Sequence, residues 1–249
     1  MCPESAVSAD QDRFRAALEP DGAAGESIGT YSEKSVHAVM KRYYEADGSR
    51  SEIRVGRYIA DIVGEDGIIE IQTGTFHKLP DKLDAFLSAA RVTLVYPFAM
   101  ERRFLRVDIR TGEVLGRRKA PRPHLLDACR ELSAVRVQLM HPNMRLILAL
   151  LSVEEVRYID PSRSRFKRLR GDNNPAAFLD EQVFESPQDY LRLLPEVLPE
   201  RFTSSDLRHA AVCRPDSARA ALTLLHGLGT VTRVGKNGNA YVYQRGTCL

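Results

Sequence analysis

The chain has 249 residues, of which 43% are hydrophobic and 28% charged, and a formal net charge of +3. These values are ordinary for a soluble globular protein of one or two domains. No apolar run approaches the ~20 residues of a membrane span, and the N-terminus lacks the basic start and apolar stretch of a secretory signal. Four scattered cysteines without CxxC spacing argue against a zinc ribbon or a disulfide framework and fit a reducing cytoplasm.

The N-terminal segment, residues 1–27, is rich in Ala, Gly, Ser, Asp and Glu, which predicts a mostly disordered segment. A first domain is expected over residues 28–185. It begins with a helix over about residues 33–45, which Ser32 can cap and in which apolar side chains recur at helical spacing. In its first turn Glu33 is favoured by the helix dipole.

The most informative segment covers residues 58–72 and consists of two apolar stretches around the turn residues 64–67. This pattern predicts a β-hairpin that places Asp61 directly opposite Glu70. The expected register pairs Ile62 with Ile69 and Val63 with Ile68, and the other face carries Ala60, Ile62, Ile69 and Ile71. Facing carboxylates repel each other, and a hard divalent cation would remove that cost. The hairpin therefore predicts a Mg²⁺ site, with Mn²⁺ as a second candidate ion, aimed at a phosphate.

Further elements follow in the order expected for a covered mixed sheet. A helix over about 79–90 precedes a continuously apolar strand at 92–97. A second hairpin is expected from two strands, 104–109 and 113–118. A buried strand is expected from 144 to 159. The basic stretches 117–119 and 163–170 are typical of solvated loops, and in a nucleic-acid enzyme they could follow the phosphate backbone.

The last segment, residues 186–249, is predicted to form a separate domain. A capping box at Thr203 and Asp206 starts one short helix, a turn at residues 213–216 starts a second, and two short strands follow. Helix, turn, helix and hairpin is the order of a winged helix-turn-helix domain. Seven Lys and Arg against two acidic residues in 201–249 favour a DNA partner. The expected DNA contacts are Arg214, Ser217 and Arg219 after the turn, Arg233, and Lys236 at the wing tip.

Residues 28–97 resemble the PD-(D/E)XK nuclease superfamily. The similarity rests on Gly29-x-x-x-Glu33, then Asp61, then Glu70-Ile-Gln72, in a helix–strand–strand–strand–helix–strand order. The Gly-x-x-x-Glu element is most similar to the Holliday-junction-resolvase branch. The resemblance implies a restriction-endonuclease-like mixed sheet with flanking helices, Mg²⁺ bound by Asp61 and Glu70, and an acidic site completed by Glu33. The whole architecture also resembles uncharacterised bacterial proteins.

The sequence departs from the superfamily pattern at the third motif residue. Gln72 stands where the family usually has lysine, and some restriction enzymes of the superfamily work with glutamine there. Lys82 or Lys78, on or just before the next helix, could supply the missing positive charge. The other interpretation of both lysines is the polar side of an amphipathic helix.

Two functions follow. The first is a Mg²⁺-dependent DNA endonuclease or DNA-processing protein, whose catalytic residues are Asp61, Glu70, Gln72, Glu33 and Lys82 and whose winged helix positions the DNA. Relatives of this fold often dimerise, so a homodimer is a further expectation. The alternative is a DNA-binding regulatory protein whose nuclease-like domain has lost catalysis and serves as scaffold or dimerisation unit. An RNA-directed role lacks an aromatic stacking platform.

Overall fold

The computed structural model describes residues 3–19, 36–160 and 169–246. The helices within these residues are α1 (Pro3–Leu18), α2 (Val36–Tyr44), α3 (Pro80–Leu87), α4 (Cys129–Leu132), α5 (Ser204–Ala211) and α6 (Pro215–Gly227). The strands are β1 (Ser51–Val55), β2 (Tyr58–Gly64), β3 (Gly67–Ile71), β4 (Val92–Asp108), β5 (Val114–Lys119), β6 (Met144–Ile159), β7 (Leu169–Phe184), β8 (Arg201–Phe202), β9 (Val231–Asn237) and β10 (Ala240–Arg245). Short 3-10 helices lie at Leu125–Asp127, Ser133–Val135, Gln138–Met140 and Pro187–Leu193.

A seven-stranded mixed sheet has the order β1-β2-β3-β4-β6-β7, with β5 paired to β4. Strands β2 and β3 are antiparallel, β3 and β4 are parallel, and β4 and β5 are antiparallel. The parallel pair needs a crossover, which α3 supplies between β3 and β4. The predicted α/β class, with a large mixed sheet and flanking helices, is confirmed.

The chain divides into two compact units. The first unit contains Met1–Glu52, Tyr96–Pro123 and Leu148–Gln182, and the second contains Ile53–Val95, His124–Ile147 and Val183–Leu249. Within the described residues, no helix combines the length and the apolar character needed to cross a membrane.

In the first unit, Pro3–Leu18 forms helix α1, where the composition of residues 1–27 predicted a mostly disordered segment; residues 20–27 lie outside the described residues. Phe14 and Ala17, three residues apart, are both buried. The Phe14 ring lies 5.9 Å from that of Tyr43 on α2 and 5.7 Å from that of Phe178 on β7. The polar composition of the segment concealed one apolar stripe. That stripe is sufficient to stabilise the helix when a partner helix covers it.

The second unit contains the β2–β3 hairpin in the predicted register, with Ile62 opposite Ile69 and Val63 opposite Ile68. The turn is tighter than expected, because Gly64 pairs with Gly67 and only two residues remain in the loop. Gly67 has φ +110°, and a Cβ there would lie 2.2 Å from the Arg91 carbonyl oxygen. Only glycine therefore fits this position of the turn.

Two long strands and one short strand extend or replace the predicted elements. Strand β4 runs through both predicted segments, 92–97 and 104–109, as one strand, and its pairing with β3 ends at Val95. Strand β6 covers the whole predicted segment 144–159. The basic residues at 117–119 lie in strand β5 and not in a loop, whereas most of the basic stretch 163–170 lies outside the described residues.

The C-terminal segment shows the predicted element order of helix, turn, helix and hairpin. The Thr203 hydroxyl and the Asp206 carboxylate form the expected capping box at the start of α5, and Pro215 occupies the first turn of α6. Strands β9 and β10 pair with each other, and β8 adds to β10 in a three-stranded sheet. Apolar side chains of both helices form the core of this segment: Leu207, Ala218, Ala221, Leu222, Leu224 and Leu225.

Candidate functional site

The hairpin brings two carboxylates together. Its paired residues run from Gly64 and Gly67 to Ile62 and Ile69. Asp61 of β2 and Glu70 of β3 come next beyond this last pair, and the Asp61 charge acts on the Glu70 carboxyl group. Glu70 is only 3% exposed, which is unusual for a charged residue, and Asp61 is half-buried. The Asp61 Oδ2 atom accepts a hydrogen bond of 2.8 Å from the Ile71 backbone N–H, which fixes this carboxylate against β3.

Glu70 is electrostatically strained. Burial raises the pKa of its carboxyl group to about 7, and the nearby Asp61 charge acts in the same direction, while Lys82 and, more weakly, the Asp61 backbone N–H oppose both. The Glu70 Oε2 atom is buried without a hydrogen-bond partner. An unsatisfied buried oxygen of this kind has a cost in stability.

Lys82 lies where the sequence suggested that a displaced lysine could reach the site. It is on α3, and its Nζ atom donates to the Glu70 Oε1 atom. Its ammonium group also lies 5.4 Å from the centre of the Phe86 ring one turn further along the helix. The alternative, Lys78, is exposed in the loop before α3. Lys82 is therefore part of the acidic site and not of a solvated polar face.

Gln72 follows β3 and is engaged by its own loop. Its side-chain Nε2 donates to the Thr75 carbonyl oxygen at 2.9 Å, and its backbone N–H donates to Val95 of β4 at 2.9 Å. Glu33 lies outside the described residues. Among the described residues, no group of three or more His, Cys, Asp and Glu side chains comes together, so Asp61 and Glu70 form a pair.

The donor set fits a divalent cation. Mg²⁺ binds through one or two carboxylates and completes its shell with water and substrate phosphate. Asp61 and Glu70 supply two carboxylates on facing strands, and the unpartnered Oε2 atom of Glu70 supplies an oxygen that needs a positive partner. These two residues would hold the ion.

The predicted DNA-contact residues around α6 differ in their surroundings. Arg214, just before the helix, has a largely exposed side chain whose Nη2 lies 3.0 Å from the Asp127 Oδ2 atom. Arg219 is one turn into the helix, exposed, and 3.1 Å from Asp216. Both guanidinium groups remain accessible to a phosphate, since surface ion pairs of this kind are weak.

Ser217 was predicted wrongly as a surface contact. It is 5% exposed, and its hydroxyl donates to the Asp127 Oδ1 atom. The reason is helical phase, because Ser217 lies on the same inward stripe of α6 as Ala218 and Ala221. Its hydroxyl holds α6 against the 3-10 turn at Leu125–Asp127.

The β9–β10 hairpin combines cations with an aromatic ring that the sequence analysis did not single out. Arg233 Cζ lies 4.1 Å and Lys236 Nζ 5.0 Å from the centre of the Tyr241 ring. Tyr241 pairs in register with Lys236, and all three side chains are exposed. The sequence signal that could have revealed this cluster was a tyrosine on one strand of the hairpin facing an arginine and a lysine on the other.

The fold and the site define a mixed α/β protein with a carboxylate pair, one member buried and the other half-buried, on the β2–β3 hairpin next to the edge strand β1. The chain belongs to the family described as Domain of unknown function (DUF8091), whose model matches residues 34–185. An uncharacterised protein of Treponema pallidum (strain Nichols) is 28% identical over 223 residues, which cover 88% of each chain. No solved structure matches the chain. The family match includes the acidic pair and Lys82.

Proposed function

We propose that the protein is a divalent-metal-dependent DNA endonuclease with a restriction-endonuclease-like core and a C-terminal winged helix. The observation that carries this proposal is the buried Glu70 carboxylate, which faces Asp61 and has an oxygen without a partner. A purely structural protein gains nothing from two facing acids in a half-buried hairpin. A site of this kind is typical of functional positions, where strained electrostatics are retained.

The residues would divide the chemistry of phosphodiester hydrolysis among them. A divalent ion would supply positive charge beside the phosphate and make a water molecule more acidic. Asp61 and Glu70 would bind that ion, and the ammonium group of Lys82 would favour the ionised form of Glu70. Gln72 cannot carry a charge, so Lys82 takes the electrostatic role of the usual lysine. Glu33 stays a candidate for the third acidic position.

DNA binding is proposed for the C-terminal segment. The exposed side chains of Arg214 and Arg219 lie in and before the first turns of α6, which is the helix that enters the major groove in winged helices. Arg233 and Lys236 project from the hairpin that would form the wing. Ser217 is not part of this surface.

The test is cleavage of labelled linear duplex, supercoiled plasmid, single-stranded and four-way-junction DNA with Mg²⁺ or Mn²⁺. The variants Asp61→Asn and Glu70→Gln should each lose more activity than the roughly 10- to 100-fold that follows loss of an outer-shell partner of a metal. The matched control is Asp81→Asn, which changes an exposed acid on α3, the helix that carries Lys82. Cutting that survives both site variants would contradict the assignment.

A non-catalytic DNA-binding regulator is the second candidate, and a specific contact favours it. The ammonium group of Lys82 already neutralises Glu70, and the Gln72 amide is held by Thr75. Such a site is stable without a metal ion, as expected of a nuclease-like domain that has lost catalysis. Calorimetric titration with Mn²⁺ separates the two functions, because an enzyme should bind the ion through Asp61 and Glu70. A regulator should bind DNA with no effect of metal or of Asp61→Asn.

A further inference from the structure

A second charged surface lies in the first unit, on the hairpin formed by β4 and β5. Residues 101–122 contain eight basic and three acidic side chains. We call the paired residues of the two strands, Arg103–Val107 of β4 and Val114–Lys119 of β5, the basic hairpin. Its exposed basic residues are Arg103, Arg106, Arg117, Arg118 and Lys119.

The register of the basic hairpin places like charges opposite each other. Arg103 pairs with Lys119, and Arg118 pairs with Phe104, whose neighbour on the same face is Arg106. Directly opposed like charges destabilise an antiparallel pair. The arrangement therefore has a cost in the free protein that an anionic partner would remove.

Neighbouring strands neutralise only part of this charge. On β6, Glu154 lies 3.4 Å from Arg117, and Glu155 contacts Arg102 at 3.9 Å and Arg157 at 2.9 Å. No such ion pair is formed, within the described part of the chain, by the other four cations, which are Arg103, Arg106, Arg118 and Lys119. The positive charge that remains is concentrated on one exposed hairpin.

The position of β5 also matters. Among the described strands β5 pairs with β4 alone, so it is an edge strand. Consecutive residues of a strand point to opposite faces, so Arg118 and Lys119 flank the edge on both sides. An edge flanked by cations on both faces offers positive charge to phosphate oxygens on either side, and arginine binds phosphate oxygens in bidentate fashion.

We propose that the basic hairpin is a second contact surface for the phosphate backbone of duplex DNA, in addition to the C-terminal segment. The identity of the partner rests on the proposed function, whereas the surface does not depend on catalysis by the acidic site. Contacts of this type add affinity without reading sequence.

The experiment measures binding of a fluorescein-labelled duplex by anisotropy over a series of salt concentrations, with the full chain and no divalent ion. The variant Arg103→Gln/Arg118→Gln removes one cation from each strand. If both contact phosphate, the slope of log K against log salt should become shallower by about 1.8, which is about 0.9 for each lost contact. The matched control Arg15→Gln/Arg130→Gln removes two exposed cations elsewhere and should leave the slope unchanged.

A third pair, Arg219→Gln/Lys236→Gln, distinguishes this inference from the proposed function. If the Arg219→Gln/Lys236→Gln variant loses DNA binding while the basic-hairpin variant keeps the wild-type salt slope, the basic hairpin is not a DNA-contact surface. The proposed contact through the C-terminal segment is then still supported. Failure of the wild-type chain to bind duplex DNA, or preference for single-stranded RNA, overturns the DNA partner for both. Unchanged binding combined with new aggregation would show that the cations only protect the β5 edge, and circular dichroism confirms that each variant is folded.

Discussion

Two antiparallel hairpins in this protein place like charges opposite each other, and they do so in opposite environments. In the β2–β3 hairpin, Asp61 faces Glu70, and Glu70 is almost completely buried. In the β4–β5 hairpin, Arg103 faces Lys119, and both side chains are exposed. The same cross-strand repulsion therefore acts in a low dielectric in one case and in screened solvent in the other.

This difference determines what each hairpin can bind. In the acidic hairpin the protonated form of Glu70 is favoured, because burial and the Asp61 charge raise the pKa of its carboxyl group to about 7. A compact cation would fit between two such side chains. The exposed bases are suited to an extended polyanion that replaces solvent ions. The following predictions test how far burial, and not charge alone, separates the two hairpins.

The largest effect is expected for Lys82→Met, which leaves the buried Glu70 carboxylate without its ammonium partner. We expect the free energy of unfolding to fall by about 2 kcal/mol at pH 8, below the range for fully buried pairs because Lys82 is partly exposed and Glu70 can take up a proton. Urea denaturation measures the change, and Lys78→Met, at an exposed position, should change stability by less than about 0.5 kcal/mol.

The pH dependence of this effect has a defined sign. The folded-state pKa of Glu70 lies above its unfolded value, so its contribution to stability is fully present below the unfolded pKa and is lost as the pH rises through about 7. The Lys82→Met variant should therefore approach wild-type stability near pH 4.5. An equal loss of stability at pH 4.5 and pH 8 would show that packing of the lysine stem, and not charge, is responsible.

The second prediction concerns two partners of one carboxylate. Ser217 and Arg214 both bond to Asp127, but Ser217 is buried and Arg214 is largely exposed. Ser217→Ala should lower the free energy of unfolding by about 1 to 2 kcal/mol, because a hydrogen bond to a charged acceptor is lost inside the protein. Arg214→Gln should change it by less than about 1 kcal/mol. The reverse order would show that burial does not decide the strength of these two contacts.

The sequence predicted the acidic hairpin well, because its register depends on local signals. The two-residue side-chain period and the glycines of the turn together placed Asp61 opposite Glu70. Lys82 was identified as a candidate because α3 directly follows β3. In contrast, the partner of Ser217 is ninety residues away in the chain, and no local pattern reveals such a contact. The orphaned oxygen of Glu70 depends on how other elements cover β3, and it is likewise invisible in the sequence.

The third prediction uses Asp61→Asn to separate burial from repulsion. Asparagine can still accept the Ile71 N–H through its side-chain oxygen, so the hydrogen bond at this position is kept while the charge is removed. The pKa of Glu70 should then fall below about 7, and stability at pH 8 should rise by up to about 1 kcal/mol. A carboxyl-carbon NMR titration measures this pKa. If it does not move, burial alone sets it.

The smallest effect is expected for Arg103→Gln in the basic hairpin. Arg103 faces Lys119 on the surface, so removing its charge relieves repulsion that solvent already screens. We expect the free energy of unfolding to rise by no more than about 0.5 kcal/mol at low salt, and the gain to disappear in 1 M NaCl, where the Debye length is about 3 Å. Thermal melts at both salt concentrations measure it. A fall in stability at low salt would show that Arg103 has a stabilising contact. The opposed charges would then no longer support an anionic partner for the basic hairpin.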